Sequence, residues 1–390
     1  MDIKRMAREQ QSYVVANRRK IHEKPELSGH ERSTRRLICA ELDKLRVPYE
    51  LLEGTGLIAT LEGTRPGLTR AVRADIDALP IQESATNLQQ AKQCVSTVPG
   101  VMHACGHDAH TAMLLGTLRA LVQAGNDFPG TVLACFEEGE ERGLGVSVML
   151  DALAGHDVDE VFALHVQCGV PVGFINIEPG PRMAGALGIG VTFHGRSGHG
   201  SRPDQAISPI IPACHFVTQV NSAFMNQLDV EKTVTLGFGR LAAGDANNVI
   251  PSTAYVGGSA RFFDHDEGVK AEKIIWETAE NTARTFRCSV NCESHHGAGI
   301  PVINDKRVAV DTANALAEAC GSSVLVPAPR WFASESFSMY LKRYPGALGF
   351  LGIKNEKLGS GAPHHNDKFD IDEKGLWLGV AAELAFITRP

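Results

Sequence analysis

Apolar and polar positions recur along this chain with two different periods, and the change of period divides it. Residues 3–46 repeat at the helical spacing, with Lys24-Pro25 as a break and Ser28 with Glu31 as the signature of a capped second start. β-rich runs follow at 49–52, 57–61, 70–77, 130–136 and 161–165, and a helical run lies over 111–124. Strands alternating with helices predict an α/β fold with a mostly parallel sheet, whose ligands gather at the carboxyl edge. From 184 to 299 the rhythm becomes strand (187–193), helix (208–225), strand (233–241), strand (253–263), helix (268–286), strand (289–294). That βαββαβ order predicts a ferredoxin-like α+β unit. α/β character resumes with a helix over 305–319, a strand over 347–351 and a closing helix over 372–387. The expected organisation is one domain built from 1–183 and 300–390, interrupted by a second at 184–299.

Chemistry-bearing side chains fall where these strands end. The stretch V-M-H-A-C-G-H-D-A-H, Val101 to His110, sets His103, Cys105, His107, Asp108 and His110 close together, and Gly106 spares a tight backbone the clash of a Cβ. A lone Cys or His is more often an inert core residue, but this density is a metal-site composition. Asp75 and Asp77 close one strand, His165 closes another, and Glu137-Glu138 closes a third. Adjacent carboxylates repel unless a cation neutralises them. Glu140-Glu141 forms a second acidic pair in a Gly-rich loop, and the expectation falls on 137 and 138 because they adjoin the strand. Loops of the inserted unit carry Gly198-His199-Gly-Ser-Arg202, Asn247-Asn248-Val-Ile-Pro251 and Arg261, groups suited to holding an anionic or carbonyl oxygen. Near the C-terminus, Pro363-His364-His365-Asn366 adds a tandem histidine.

Composition narrows the partners. At 390 residues the chain exceeds what one core usually serves, and 43% hydrophobic with 21% charged residues fits an ordinary globular protein. A formal net charge of −7 and a pI near 6.1 exclude the basic excess that nucleic acid or an anionic membrane would require, so a small-molecule substrate is expected. The N-terminal stretch has no apolar signal core, and nowhere do enough apolar residues run together to span a bilayer, which points to a cytoplasmic protein. The 9 cysteines are scattered outside any C-x-x-C pair and read as reduced thiols.

These residues resemble the M20 zinc-peptidase-like amidohydrolases, and within them the branch with hippurate hydrolases, auxin-conjugate hydrolases and N-acetyl-diaminopimelate deacetylases. The resemblance runs nearly the whole chain: R-R-K-I-H-E-K-P-E-L at 18–27, R-A-D-I-D-A-L-P at 73–80, H-A-C-G-H-D-A-H-T at 103–111, E-E-G at 137–139, A-L-H at 163–165, G-H-G at 198–200, N-V-I-P at 248–251 and H-H-N-D-K-F-D-I-D-E at 364–373. It implies that Cys105, His107, Glu138, His165 and His365 bind two divalent ions, with Glu137 as general base. His365 is chosen over His364 by counting back from Phe369. It further implies a catalytic domain split by a smaller lid domain through which many members dimerise, with His199, Asn248 and Arg261 at lid positions near the substrate. Arg202 extends the lid motif and is placed with them. Departures occur where A-C-F stands for the usual Q-P-A before the glutamate pair, where E-E-R-G replaces the glycine run after it, and where Ser334-Glu335-Ser336-Phe337 loses an acidic residue of S-E-D-F.

The function expected is hydrolysis of the amide bond of a small N-acyl or N-aroyl amino acid by a homodimer or higher homo-oligomer assembled through the lid domain. Two ions about 3.5–4 Å apart would clamp a bridging hydroxide, and Glu137 would move the proton to the departing amine. A thiolate among imidazoles and carboxylates suits Zn²⁺, and Mn²⁺, Co²⁺ or Ni²⁺ fit the same ligands. Asp77 is expected behind the site, orienting a ligating imidazole. The alternatives are a dipeptidase or an aryl-amine deaminase on the same metals, or a metal-stabilised binding protein without catalysis. No Ser/His/Asp order at strand ends supports a serine hydrolase.

Overall fold

The computed structural model describes residues 1–294 and 297–389, and these form two compact units. The first comprises 1–180, 303–329 and 336–390, and the second 181–302 with 330–335. The short segment 330–335 was not foreseen in the second unit. Its pairing is made with residues far away in sequence, which no local pattern reports.

The first unit is built on a seven-stranded sheet in the order Tyr49–Leu51, Leu57–Glu62, Pro129–Glu137, Arg65–Asp75, Glu160–Pro171, Gly346–Lys354, Ile175–Asn176. Its four central strands run parallel, and the outer ones are antiparallel. Central strands buried on both faces read as near-continuous apolar runs, which is why 132–136 and 161–166 are buried throughout. Helices Ile3–His22, His107–Gln123, Lys306–Cys320 and Leu376–Thr388 pack together with this core. The last is apolar on all sides apart from Glu383 and is buried from Leu378 to Ile387.

Two expectations about helix starts change. Helix Arg32–Leu45 is not started by a Ser28/Glu31 box, because the Glu26 carboxylate accepts from the Ser33 and Thr34 amides, and Glu31 makes no side-chain cap. Ser28 and Glu31 are used elsewhere, on Asp77 and Thr55. The helix behind the Cys/His stretch begins at His107, so the cluster forms its first turn.

The second unit has a four-stranded antiparallel sheet in the order Val234–Ala242, Thr253–Phe262, Gly185–His194, Ser289–Glu293, with helices Ile210–Gln227 and His265–Thr285. That is the ferredoxin-like order. Phe193, Phe216, Val220, Phe262 and Ile275 form its own core.

Candidate metal centre and active site

Parallel pairing sets Asp75 opposite Glu137 and Arg73 opposite Ala163, so the carboxyl ends of three strands deliver side chains to one edge. Above that edge the chain turns at Gly106, whose φ is +94°. A Cβ there would come 2.3 Å from Val166 Cγ2, so the close approach of Cys105 and His107 to the strand requires glycine. Asp108, in the first helical turn, accepts from Arg18 Nε at 2.7 Å and contacts His22 Nδ1 at 2.8 Å. The N-terminal R-R-K-I-H motif is thereby tied to the start of this helix.

Hydrogen bonds fix which imidazole nitrogens can act as donors to an ion. His107 Nδ1 lies 2.9 Å from Asp77 Oδ1, and His165 Nδ1 lies 2.7 Å from the Val166 carbonyl, so each Nδ1 carries a proton and each Nε2 is the nitrogen left to face an ion. Against its burial, Asp75 and Cys105 hold the His107 pKa well above the usual imidazole range until a cation displaces the second proton. His110 differs, because Nδ1 bonds Asp75 Oδ1 at 2.6 Å while Nε2 accepts from the Val166 amide at 2.9 Å. Both of its nitrogens are spent in holding the sheet edge. Burial opposes the charge on Asp75, but His107, His110 and Arg73 hold its carboxyl well below the usual range. Burial, aided by His110, pushes His165 well below an ordinary imidazole, and His364 down to about 3.

The acidic residues are placed otherwise than the sequence led us to expect. Glu137 is fully buried and receives Arg73 Nη2 at 3.0 Å, Ser336 Oγ at 2.6 Å and the Tyr340 hydroxyl, so it faces the protein interior. Glu138 turns to Thr55 and accepts from both its amide and its hydroxyl. Neither belongs to any cluster of metal-binding donors among the described residues. Consecutive residues leaving a strand point to opposite faces, and both faces here are already lined with partners. Left-handed glycines at 139 (φ +60°) and 143 (φ +62°) then fold Glu140–Arg142 into a single 3₁₀ turn that presents Glu140 and Glu141 together. The turn is clamped by three bonds: Gly139 N to Glu31 Oε1 (2.8 Å), Glu141 N to Asp77 Oδ2 (3.1 Å) and Ser336 N to Glu140 Oε1 (2.9 Å). With the pair read as Glu140-Glu141, it is Glu137-Glu138-Gly139 that stands where the related motif has Q-P-A.

Ligand atoms of Cys105, His107 and His165 lie within 4.8 Å of one another, as do those of Cys105, Glu141 and His365. Cys105 Sγ belongs to both triads. It lies 3.5 Å from His165 Nε2, and Glu141 Oε1 lies 3.8 Å from His107 Nε2. His365 Nε2 is 3.2 Å from the same oxygen but not aligned for a hydrogen bond. His107 Nε2 and Glu141 Oε1 are buried with no hydrogen-bond partner among the described residues. Buried polar atoms that face one another without a hydrogen bond are costly unless a cation lies between them, so the donor set fits metal ions. Burial first, and Glu141 second, hold the Cys105 thiol well above its usual pKa against the opposing pull of His107, and a bound cation would favour the thiolate. His364, by contrast, accepts from the Cys168 amide at 3.4 Å.

In the second unit, residues 198–199 pair with 249–250, and the Gly200 amide donates to the Asn248 carbonyl at 2.8 Å. His199 and Asn248 are therefore neighbours. Ser201 donates its amide to His199 Nδ1 at 3.1 Å, which leaves the neutral ring protonated at Nε2. Arg202 does not join them: its guanidinium makes two bonds to Asp204 at the surface. Arg261 does not converge with them either. Thr253 pairs with His194 at one end of the sheet and Arg261 with Ala186 at the other. At about 3.3 Å per residue those positions are about 26 Å apart.

Comparison with known proteins accords with this geometry. The model of peptidase family M20/M25/M40 matches residues 71–389. Thermostable carboxypeptidase 1 of Saccharolobus solfataricus is 33% identical over 386 residues, covering 97% of this chain and 96% of that protein. N-acetyldiaminopimelate deacetylase of Enterococcus faecalis is 31% identical, covering 98% and 99%. Among solved structures, the Bacillus subtilis YxeP protein, a dinuclear metal-binding peptidase, superposes with a TM-score of 0.81 at 29% identity, covering 97% and 98% of the two chains. A site of clustered thiol, imidazole and carboxylate donors at a sheet edge, on a chain matched along most of its length, belongs to peptidase family M20, whose members are metal-dependent hydrolases.

Proposed function

We propose that this chain is a binuclear amidohydrolase that cleaves the amide bond of a small N-acyl or N-aroyl amino acid. The observation that carries the reading is the shared position of Cys105 between two donor triads, with Glu141 Oε1 and His107 Nε2 left orphaned between them. Cys105, His107, Glu141, His165 and His365 would hold the ions. When bound, the ions supply a Lewis acid for the carbonyl and a water acidified for attack. Glu140, held at one oxygen by the Ser336 amide, takes the proton from that water and returns it to the departing amine. Asp77 keeps His107 in the tautomer that leaves Nε2 available. Zn²⁺ suits the thiolate and imidazoles best, with Mn²⁺, Co²⁺ and Ni²⁺ as the alternatives. The name of the deacetylase relative supports an N-acyl amino acid, and that of the carboxypeptidase relative makes peptides the competing substrates. The test is elemental analysis of protein purified without chelator, followed by turnover on N-acetyl, N-benzoyl and dipeptide substrates. Two ions per chain with preferred cleavage of the N-acyl series is expected. Preferred dipeptide cleavage would replace the substrate class, and bound metal without turnover on any member would leave a binding protein.

His199, through its Nε2 hydrogen, is proposed to donate to the developing oxyanion, and Asn248 and Arg261 to hold the substrate. His199 pairs with Val249, which precedes the Thr253 end of the strand, and Arg261 sits about 26 Å away at the other end, farther than a small N-acyl amino acid spans, so both can meet one substrate only if they come from two copies of the chain. His199→Ala and Arg261→Ala should each lower kcat/KM about 10²-fold or more. Mixed and reassociated, the two variants should recover about a quarter of wild-type activity, because half the dimers are mixed and each mixed dimer has one intact site. No recovery on mixing, with reassociation verified by mass, would show that one of the two residues lies outside the site.

A further inference from the structure

Glu137, set aside as a base by its position, is connected to the residue that takes that role. Its Oε1 accepts from Ser336 Oγ at 2.6 Å and from Arg73 Nη2 at 3.0 Å, and its Oε2 accepts from the Tyr340 hydroxyl. Arg73 also donates to Ser336 Oγ at 2.7 Å and, through Nη1, to Asp75 at 2.6 Å. Ser336 is thus gripped at its side chain from two directions, and its amide reaches Glu140 Oε1 at 2.9 Å. All these residues lie in the first unit. Burial and the neighbouring Glu137 hold the Tyr340 phenol well above its usual pKa, which keeps it a hydrogen-bond donor.

We propose that Glu137 is a positioning residue for hydrolysis, acting through Ser336 to fix the carboxylate plane of Glu140. Three donors converge on a carboxylate with no exposed surface, so Ser336 Oγ has one position open to it. Its amide then holds one oxygen of Glu140. A base that moves by an ångström loses much of its rate advantage, whereas substrate binding is untouched. The inference rests on Glu140 being the base.

Glu137→Ala and Ser336→Ala should each lower kcat about 10–10²-fold, with KM changed by less than about twofold and metal content intact. Glu137→Gln is the decisive variant. Its Oε1 can still accept from Arg73 and Ser336, and its amide can donate to Tyr340 once the phenol turns round, so kcat should return to within about threefold of wild type. Ser336→Ala leaves the Glu137, Arg73 and Tyr340 bonds in place, so it reads the effect even where Glu137→Ala folds poorly. Unchanged kcat in metal-loaded Ser336→Ala and Glu137→Ala, with only the melting temperature lowered, would overturn the proposal. So would a Glu137→Gln variant as inactive as Glu137→Ala, since Glu137 would then itself need its charge. Glu140→Gln separates the two levels: if it turns over normally, the base assignment and this inference fall together. If it is inactive while the Glu137 and Ser336 variants keep kcat, only the inference falls.

Discussion

Replacing Glu140 by Gln is expected to lower kcat by about 10²–10⁴-fold while the bound metal stays at its wild-type level, because the amide keeps the bond from Ser336 but cannot accept a proton. Glu141→Gln should instead lose metal together with activity. Its Oε1 faces His107 Nε2 at 3.8 Å and His365 Nε2 at 3.2 Å, and a neutral amide is a poor substitute for an anionic oxygen ligand. Glu138→Gln should do neither, because that carboxylate is engaged by Thr55. Metal content and kcat measured side by side in the three variants decide the matter. Retained metal in Glu141→Gln, or lost metal in Glu138→Gln, would return the ligand role to the strand end.

Stability at alkaline pH should rise when Glu383 is replaced by Gln. Glu383 lies inside the closing helix, 2% exposed, where the Thr117 hydroxyl donates to it, and burial pushes its pKa up to about 8. The folded protein therefore holds a proton that the unfolded chain releases near 4.5. Stability is full below that lower value and declines as pH rises towards 8, by on the order of 4 kcal/mol. Gln keeps a partner for Thr117 without a charge to desolvate. Thermal unfolding at matched metal content should show similar melting temperatures for the two proteins at pH 5, and the variant higher by roughly 5 °C or more at pH 8.5. Equal melting temperatures at both pH values would show that the carboxyl finds solvation on ionising.

How far the site was legible in the sequence depends on how local its signals are. Strand and helix positions came from periodicity, and the Cys/His stretch came from density, both of which survive without tertiary information. The choice between Glu137-Glu138 and Glu140-Glu141 did not. Nearness to a strand end favoured the first pair, yet a strand end delivers its side chains to faces already lined by Arg73, Tyr340 and Thr55. The signal that could have reversed the choice was Gly139 and Gly143 bracketing the second pair, glycines able to fold a tight turn. The Ser28/Glu31 capping box misled for a similar reason: local spacing allowed a cap, but distant Thr55 and Asp77 claimed both side chains. Arg261 was grouped with His199 because each sits in a polar segment, and only strand register reveals that Arg261 lies at the end of its sheet opposite Thr253, whereas His199 pairs with Val249 in a separate two-stranded ladder that precedes Thr253.

The second unit is not a continuous cassette. The Trp331 amide donates to the Arg182 carbonyl at 2.8 Å, the Ala184 amide bonds the Trp331 and Ala333 carbonyls at 3.1 and 3.0 Å, and Phe263 packs edge-on against Phe332 with Arg330 over its ring. A fragment cut at 181 and 302 would carry the ferredoxin-like order yet leave the Ala184 amide unpaired and the Phe263 ring bare. The unit has borrowed a second piece, residues 330–335, so anyone transplanting it to another host, or tracing its ancestry by aligning the 181–302 stretch alone, would be working with an incomplete part.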